Sequence, residues 1–333
     1  MRMAIGMDIG GTNTKFVLAA EDGTVLSSFQ RPTLGVNSKN KEEIVPLLVK
    51  SLKEFIAKDR TQAAIGSSAL AGIGIGIAGL IDRRNGTVLQ SPNITAINGA
   101  PLRSIFEQEF KLPIVIENDA NIYAYGEKWV GAGKNFNNFV VLTLGTGLGG
   151  GYIYNGRLFE GPLEIGHMTI VPNGRYCPCG SYGCLESYAS GRAIIDRAVS
   201  SLEKGTESLL MKCCEGNIYK ITPETVFKNA LDGDSLSREI YREAGQFLGM
   251  GIANLINLLG IEAVIIGGGL LGAWDLLVEE IKKESIKRAL KHLASDVQII
   301  KSELTKDAGS IGAAGLLFSK ITEADSCIDL SAN

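Results

Sequence analysis

The chain has 333 residues, 45% of them hydrophobic and 21% charged, and its 33 basic and 36 acidic side chains leave a net charge of −3. That length predicts about two domains, each able to bury a core without covalent or metal staples. The near-even charge, with no block of Lys or Arg, excludes a nucleic-acid or anionic-membrane surface.

The N-terminal stretch "MRMAIGMDIGGTNTK" is interrupted by Asp8 and lacks the apolar core of a signal peptide. The longest apolar run, "ALAGIGIGIAGLI" (69–81), is too short and too rich in glycine to span a bilayer. The expected location is therefore cytoplasmic. In that reducing compartment Cys213, Cys214 and Cys327 read as ordinary thiols rather than parts of a disulfide framework.

Taken in chain order, "MAIGMDIG", "TKFVLAA" and "TVLSSFQ" predict three strands in an antiparallel meander, with turns at Gly11 and at "EDG" (21–23). Residues 41–59 show helical periodicity, with Pro46 expected near the first turn. "GIGIGIAG" and "PIVIEND" suit buried strands, and "ANIYAYGEKWVGAG" reads as a helix closed by glycines. At 139–156 the opening theme of strand, Gly/Thr turn and strand returns, which predicts two related halves. A long helix over 235–258, the strand "EAVIIGGG", a further helix and the strand "VQIIKSEL" follow. A closing helix over 307–320 and a loose tail over 321–333 complete the pattern.

Three glycine clusters follow predicted strands: "DIGGTNTK" (8–15), "LGTGLGGG" (144–151) and "IIGGGL" (265–270). Glycine lets backbone N–H groups approach phosphate oxygens closely. With 41 glycines in the chain, any one cluster is equally well a tight strand–turn junction. The set of three, two of them carrying Thr12 and Thr146, points to phosphate. Asp8, at the end of the first strand, could reach a hydrated Mg²⁺ on a polyphosphate or simply cap its turn.

The segments "DIGGTNTK", "IENDAN", "LGTGLGGG" and "EIGHM…CPCGSYGCLE", in this order, resemble the ROK sugar kinases of the sugar kinase/Hsp70/actin superfamily, across residues 3 to 320. The resemblance implies an α/β protein of two ribonuclease-H-like (actin-like ATPase) domains flanking a cleft. The expected division is a smaller domain of 1–118 plus 308–320 and a larger one of 119–307, with a zinc-binding segment at 167–184. It further implies ATP with Mg²⁺ held by Asp8, Gly10, Gly11, Thr12, Asn13, Lys15, Thr146 and Gly147. Gly268 and Gly269 are expected near the adenosine. A homodimer or homotetramer is implied as well.

The segment "EIGHMTIVPNGRYCPCGSYGCLES" (164–187) admits a disulfide knot, a redox centre or a metal site. Three Cys leave one unpaired, and "CPC" is not the C-x-x-C of a redox helix. His167, Cys177, Cys179 and Cys184 match a closed tetrahedral set, which implies a structural Zn²⁺. His167, Glu164 and Glu186 then become sugar-hydroxyl partners through the resemblance. Without it, His167 is a plain ligand and each Glu a solvated charge. Asp119 is expected to be the catalytic base, with Asn93 and Asn118 orienting the sugar. Read from the residues alone, Asp119 is a helix N-cap and Asn93 a turn residue.

The expected reaction is transfer of the ATP γ-phosphate to a sugar hydroxyl, glucose at O6 first. N-acetylmannosamine or N-acetylglucosamine is the alternative, because "SPNITAINGAPL" (91–102) lacks a Trp that glucokinases of this family commonly carry. A sugar-responsive repressor is disfavoured because Asp8 leaves no room for a preceding helix-turn-helix. An NAD-linked oxidoreductase, suggested by Gly267-x-Gly269-x-x-Gly272, lacks the acidic residue about 20 positions on.

Overall fold

The computed structural model describes residues 2–33, 40–66, 70–304 and 307–331. Ala69, at the head of the long apolar run, and the last two residues of the tail lie outside them. In chain order the elements are β1 (Met3–Ile9), β2 (Asn13–Ala20), β3 (Val25–Pro32), α1 (Lys41–Ile56), α2 (Asp59–Ile65), β4 (Leu70–Ile77), β5 (Leu80–Asp82), β6 (Thr87–Gln90), α3 (Leu102–Phe110), β7 (Ile114–Asn118) and α4 (Asp119–Trp129). There follow β8 (Phe139–Leu144), β9 (Leu148–Tyr154), β10 (Arg157–Leu158), α5 (Glu186–Ala189), α6 (Gly191–Glu203), α7 (Leu210–Cys213), α8 (Pro223–Leu231) and α9 (Ser235–Leu259). Last come β11 (Ala263–Gly267), α10 (Trp274–Arg288), α11 (Lys291–Ala294), β12 (Gln298–Lys301) and α12 (Ala308–Ser331). Among the described residues no helix is long and apolar enough to cross a membrane.

The chain divides into two units, one of residues 1–135, 157–162 and 303–333, the other of 136–156 and 163–302. The helix after Asn118, which the sequence reading gave to the larger domain, therefore belongs to the first unit. Its packing explains this. The would-be β-carbons of Gly126 in α4 and Gly312 in α12 meet the facing helix's backbone, so the two helices approach as closely as helices can.

In the first unit, β1 pairs antiparallel with β2, and β2 with β3, as the meander predicted. On its other side β1 runs parallel to β4, and β4 parallel to β7. Nearly every residue of β1 and β4 is buried, as central strands covered on both faces must be. One face holds a core of Phe16, Phe55, Leu48, Ile75 and Phe106, with the Phe16 and Phe55 rings stacked 5.4 Å apart. The other face takes α12. A β-carbon at Gly6 would collide with the Ser310 carbonyl, and one at Gly74 with the Ala313 carbonyl, so helix backbone lies directly on strand backbone. Pro46 sits in the second turn of α1, inside the helix rather than at its start. The closing helix runs on to Ser331, past the expected stop at 320; no Gly or Pro interrupts 321–331.

The second unit repeats the plan. Its order β9-β8-β11-β12 matches β2-β1-β4-β7, with β8–β9 antiparallel and β8–β11–β12 parallel. The long predicted helix is α9, opened by the Asp234 side chain, which accepts the Ser237 N–H at 2.9 Å, and closed by Gly260 in the left-handed region.

Candidate functional site

Parallel strands place ligands beyond their carboxyl ends, and Asp8, Asn118, Asp119, Thr146 and Gly268 lie at such ends in the two sheets. In the first unit Asp8 lies at the end of β1 opposite Lys15 of β2. The turn between them is closed by Gly10 N–H on the Asn13 carbonyl at 3.0 Å. Thr33 ties this turn down, its hydroxyl donating to the Gly10 carbonyl at 2.6 Å and its N–H to the Thr12 carbonyl at 2.9 Å. Sequence reading missed Thr33, and no motif marks it. Asn93 packs beside the same turn, its Cβ 3.1 Å from where a Gly11 β-carbon would stand.

At the end of β7 the cap departs from the residues-alone reading of Asp119. The N-cap of α4 is Asn118, not Asp119. The Asn118 side chain accepts the Ala120 N–H at 2.9 Å and donates to the Gly79 carbonyl at 3.0 Å. That leaves Asn118 mostly committed to the fold, while Asp119, the exposed first residue of α4, shares in the cap, its Oδ1 accepting the same Ala120 N–H at 2.9 Å. Asp8 is half-buried, and its carboxyl is pushed up to about 7, first by burial, then by the Asp119 charge, with Lys15 opposing and Asp307 adding. Three carboxylates and one ammonium thus share one sheet end. Asp307 was not singled out beforehand; it precedes α12 and its carbonyl accepts the Ile311 N–H at 2.8 Å.

Glu117, also missed, is buried beneath this end. It pairs with Arg83 through two bonds of 2.6 and 2.8 Å, and accepts from the Asn118 N–H at 2.7 Å and the Asn121 amide at 3.0 Å. The signal was an acid closing an otherwise apolar strand. A cavity of about 340 Å³ opens against β7, lined by Arg83, Arg103, Glu107 and Lys320 among others, but by none of the predicted site residues.

In the second unit the β8–β9 turn carries Thr146 and Gly147, with Thr146 exposed. Gly268 follows β11 at φ 94°, where its would-be β-carbon meets the Leu144 backbone, so the two glycine turns abut. Around Gly269 there is open space. Glu186 is half-buried, and its Oε2 accepts the Leu148 N–H at 2.8 Å. Glu164 is exposed and its carbonyl accepts the His167 N–H at 3.0 Å, forming the short turn that presents the imidazole.

The sulfur and nitrogen atoms of His167, Cys177, Cys179 and Cys184 all lie within 4.8 Å of one another. Cys179 and Cys184 Sγ are 3.7 Å apart, and Cys177 Sγ is 3.6 Å from His167 Nδ1. Zinc–sulfur and zinc–nitrogen bonds of about 2.3 and 2.0 Å in a tetrahedron give edges of about 3.8 and 3.5 Å, so the donor set fits that ion. The loop is preshaped. Cys177 N–H donates to the Ser181 carbonyl at 2.8 Å, Gly180 N–H to the Cys177 carbonyl at 2.9 Å, and Gly180 has φ 94°. Burial, then the Cys177 and Cys179 sulfurs, pushes the Cys184 thiol up to about 12, a crowding that a bound cation reverses. Arg175 anchors the loop to the helices, 4.5 Å over the Tyr188 ring and 2.6 Å from Glu243.

Residues 4–320 match the family model described as ROK family. A glucokinase of Streptomyces coelicolor is 36% identical over 326 residues, covering 95% of this chain and 98% of its own. A solved ROK family glucokinase from Streptomyces griseus, in complex with glucose and AMPPNP, is similar at TM-score 0.75 and 33% identity, covering 94% of this chain and 98% of that one. A ROK family transcriptional regulator, a homologue of the E. coli MLC protein, is similar at TM-score 0.83 and 28% identity, covering 97% of this chain and 81% of that one.

Proposed function

The chain belongs to the ROK family, and from that premise we infer that it is an ATP-dependent hexose kinase acting on glucose to give glucose 6-phosphate. Its identity is higher to the solved Streptomyces griseus glucokinase than to the regulator, 33% against 28%. The observation that carries the chemistry is the placement of Asp119: an exposed carboxylate opening α4, at the sheet end that holds Asp8 and the Gly10–Asn13 turn.

Phosphoryl transfer needs charge neutralisation, alignment and an acceptor for the hydroxyl proton. Asp119 takes that proton as the base. The backbone amides of the Gly10–Asn13 turn, with Asp8 and Lys15, and those of Thr146 and Gly147, engage the magnesium nucleotide's phosphates, and Gly268 and Gly269 flank the adenosine. Asn93, Asn118, Glu164, His167 and Glu186 bind sugar hydroxyls, the carboxylates as pure acceptors. A Zn²⁺ on His167, Cys177, Cys179 and Cys184 supplies rigidity, fixing the imidazole so that its other nitrogen is a directed donor. Cytoplasmic residence and a homodimer or homotetramer belong to the same reading.

The segment that lacks the Trp buries Ile94 and Ile97 in the first unit's core, and N-acetylmannosamine and N-acetylglucosamine stay the alternative acceptors. A coupled ADP-release assay across a hexose and N-acetylhexosamine panel decides. Glucose is expected to give the highest kcat/KM, with Asp119→Asn lowering kcat by about 10²–10⁴-fold at similar sugar affinity. No sugar-dependent ADP release from any acceptor would overturn the kinase assignment.

A further inference from the structure

The β8–β9 turn is hydrogen-bonded to the starts of α5 and α6. Gly145 N–H closes the turn on the Gly147 carbonyl at 3.0 Å. The Gly145 and Thr146 carbonyls then accept from the N–H groups of Gly191 and Arg192, at 2.8 and 3.2 Å, where α6 begins. The remaining grip is Glu186, whose Oε2 takes the Leu148 N–H at 2.8 Å. Gly147 makes room for that bond, since a β-carbon there would stand 2.5 Å from the same oxygen. The three bonds that tie the turn to its neighbours here come from residues 186–192.

That stretch follows directly on the metal-ligand set. Glu186 is two residues past Cys184, and the intervening Leu185 is fully buried, its N–H bonded to the Met168 carbonyl at 2.9 Å. Met168 itself follows His167. The donor cluster and Glu186 are therefore parts of one short, tightly bonded piece of chain. A carboxylate oxygen engaged by Leu148 N–H also removes that N–H from any phosphate; among the described residues no acceptor takes the Thr146 and Gly147 N–H groups.

We propose that Glu186 is a positioning residue for the Thr146–Leu148 turn, through which the metal-bearing segment sets nucleotide affinity as well as sugar affinity. This rests on the reading of that turn as a phosphate loop. One oxygen of Glu186 shapes the turn while the other stays available to a sugar hydroxyl, so a single side chain serves both substrates.

The test is calorimetry on the full-length protein, measuring AMPPNP affinity without sugar and glucose affinity without nucleotide. Glu186→Ala removes a charge-assisted hydrogen bond and is expected to weaken AMPPNP by about tenfold. Glu186→Gln keeps an acceptor for Leu148 N–H, so AMPPNP affinity is expected to stay within about twofold while glucose binding weakens. Gly147→Ala, whose φ lies outside the left-handed region, pushes the carboxylate aside and is expected to mimic Glu186→Ala for AMPPNP. If Glu186→Ala does not fold, Gly147→Ala against Glu186→Gln makes the same comparison. Unchanged AMPPNP affinity in Gly147→Ala and Glu186→Ala overturns the proposal while leaving the kinase reading intact. Failure of the unmodified protein to bind AMPPNP overturns both.

Discussion

Gly309, in the first turn of α12, lies against the carboxylate of Asp8. A β-carbon at Gly309 would stand 2.5 Å from Asp8 Oδ2 and 2.8 Å from its Cγ. Helix α12 is already seated on the backbones of Gly6 and Gly74, so it has no room to retreat. Gly309→Ala should therefore move Asp8 rather than the helix. The expected result is a kcat lowered roughly tenfold or more and a raised Mg²⁺ requirement, with a stability loss of about 1–3 kcal/mol from overpacking. Glucose affinity measured by calorimetry should hold. A variant with normal Mg²⁺ dependence would show that Asp8 is not a phosphate-side group.

The Asp8 carboxyl, raised to about 7 from an ordinary 3.8, has a consequence for stability with a definite sign. Between those values the folded protein holds a proton that the unfolded chain has released, so stability falls as pH rises from about 4 to about 7 and then levels. Asp119 from α4, Lys15 from β2 and Asp307 before α12 are the charges that set this window. Thermal melts of the ligand-free protein from pH 5 to pH 8 should show the decline, and Asp8→Asn should flatten it. A decline of equal size in Asp8→Asn would assign the titration to another group.

Metal removal should be legible in both composition and kinetics. Cys179→Ser breaks a four-donor set whose atoms all lie within 4.8 Å of one another. Elemental analysis is expected to show about one zinc per chain in the unmodified protein and none in the variant. The sugar KM should rise by about tenfold or more, because second nitrogen and ring orientation of His167 are then unfixed. A metal-free variant with an unchanged sugar KM would detach the cluster from the substrate.

Arg83 and Glu117 form a two-bond pair at 2.6 and 2.8 Å, with the Glu117 side chain 5% exposed. Arg83→Ala strands that carboxylate, and the expected loss is about 3 kcal/mol by chemical denaturation. Since Glu117 also holds the Asn118 N–H and the Asn121 amide, turnover should fall along with stability while metal content stays normal. Unchanged stability would mean Glu117 takes up a proton or another partner.

Much of this protein is local in origin. The meander, the repeated strand–glycine turn–strand theme and the Cys/His run could be read directly, because each is carried by residues close in sequence: alternation sets a strand, glycine permits a turn, and thiol spacing sets a donor loop. Family membership followed from the same short segments in order.

The tertiary structure decided what depends on distant neighbours. It moved α4 into the first unit, because glycines on α4 and α12 allow contact at backbone distance. It gave the N-cap to Asn118 and left Asp119 exposed. It brought Thr33, Asp307 and Gly309 to the Asp8 end of the sheet, and it set Glu186 on the Leu148 amide. A side chain's type announces what it can donate or accept, but only packing across long separations in the chain chooses its partner. That is why the donor set was legible and the groups that hold it in register were not.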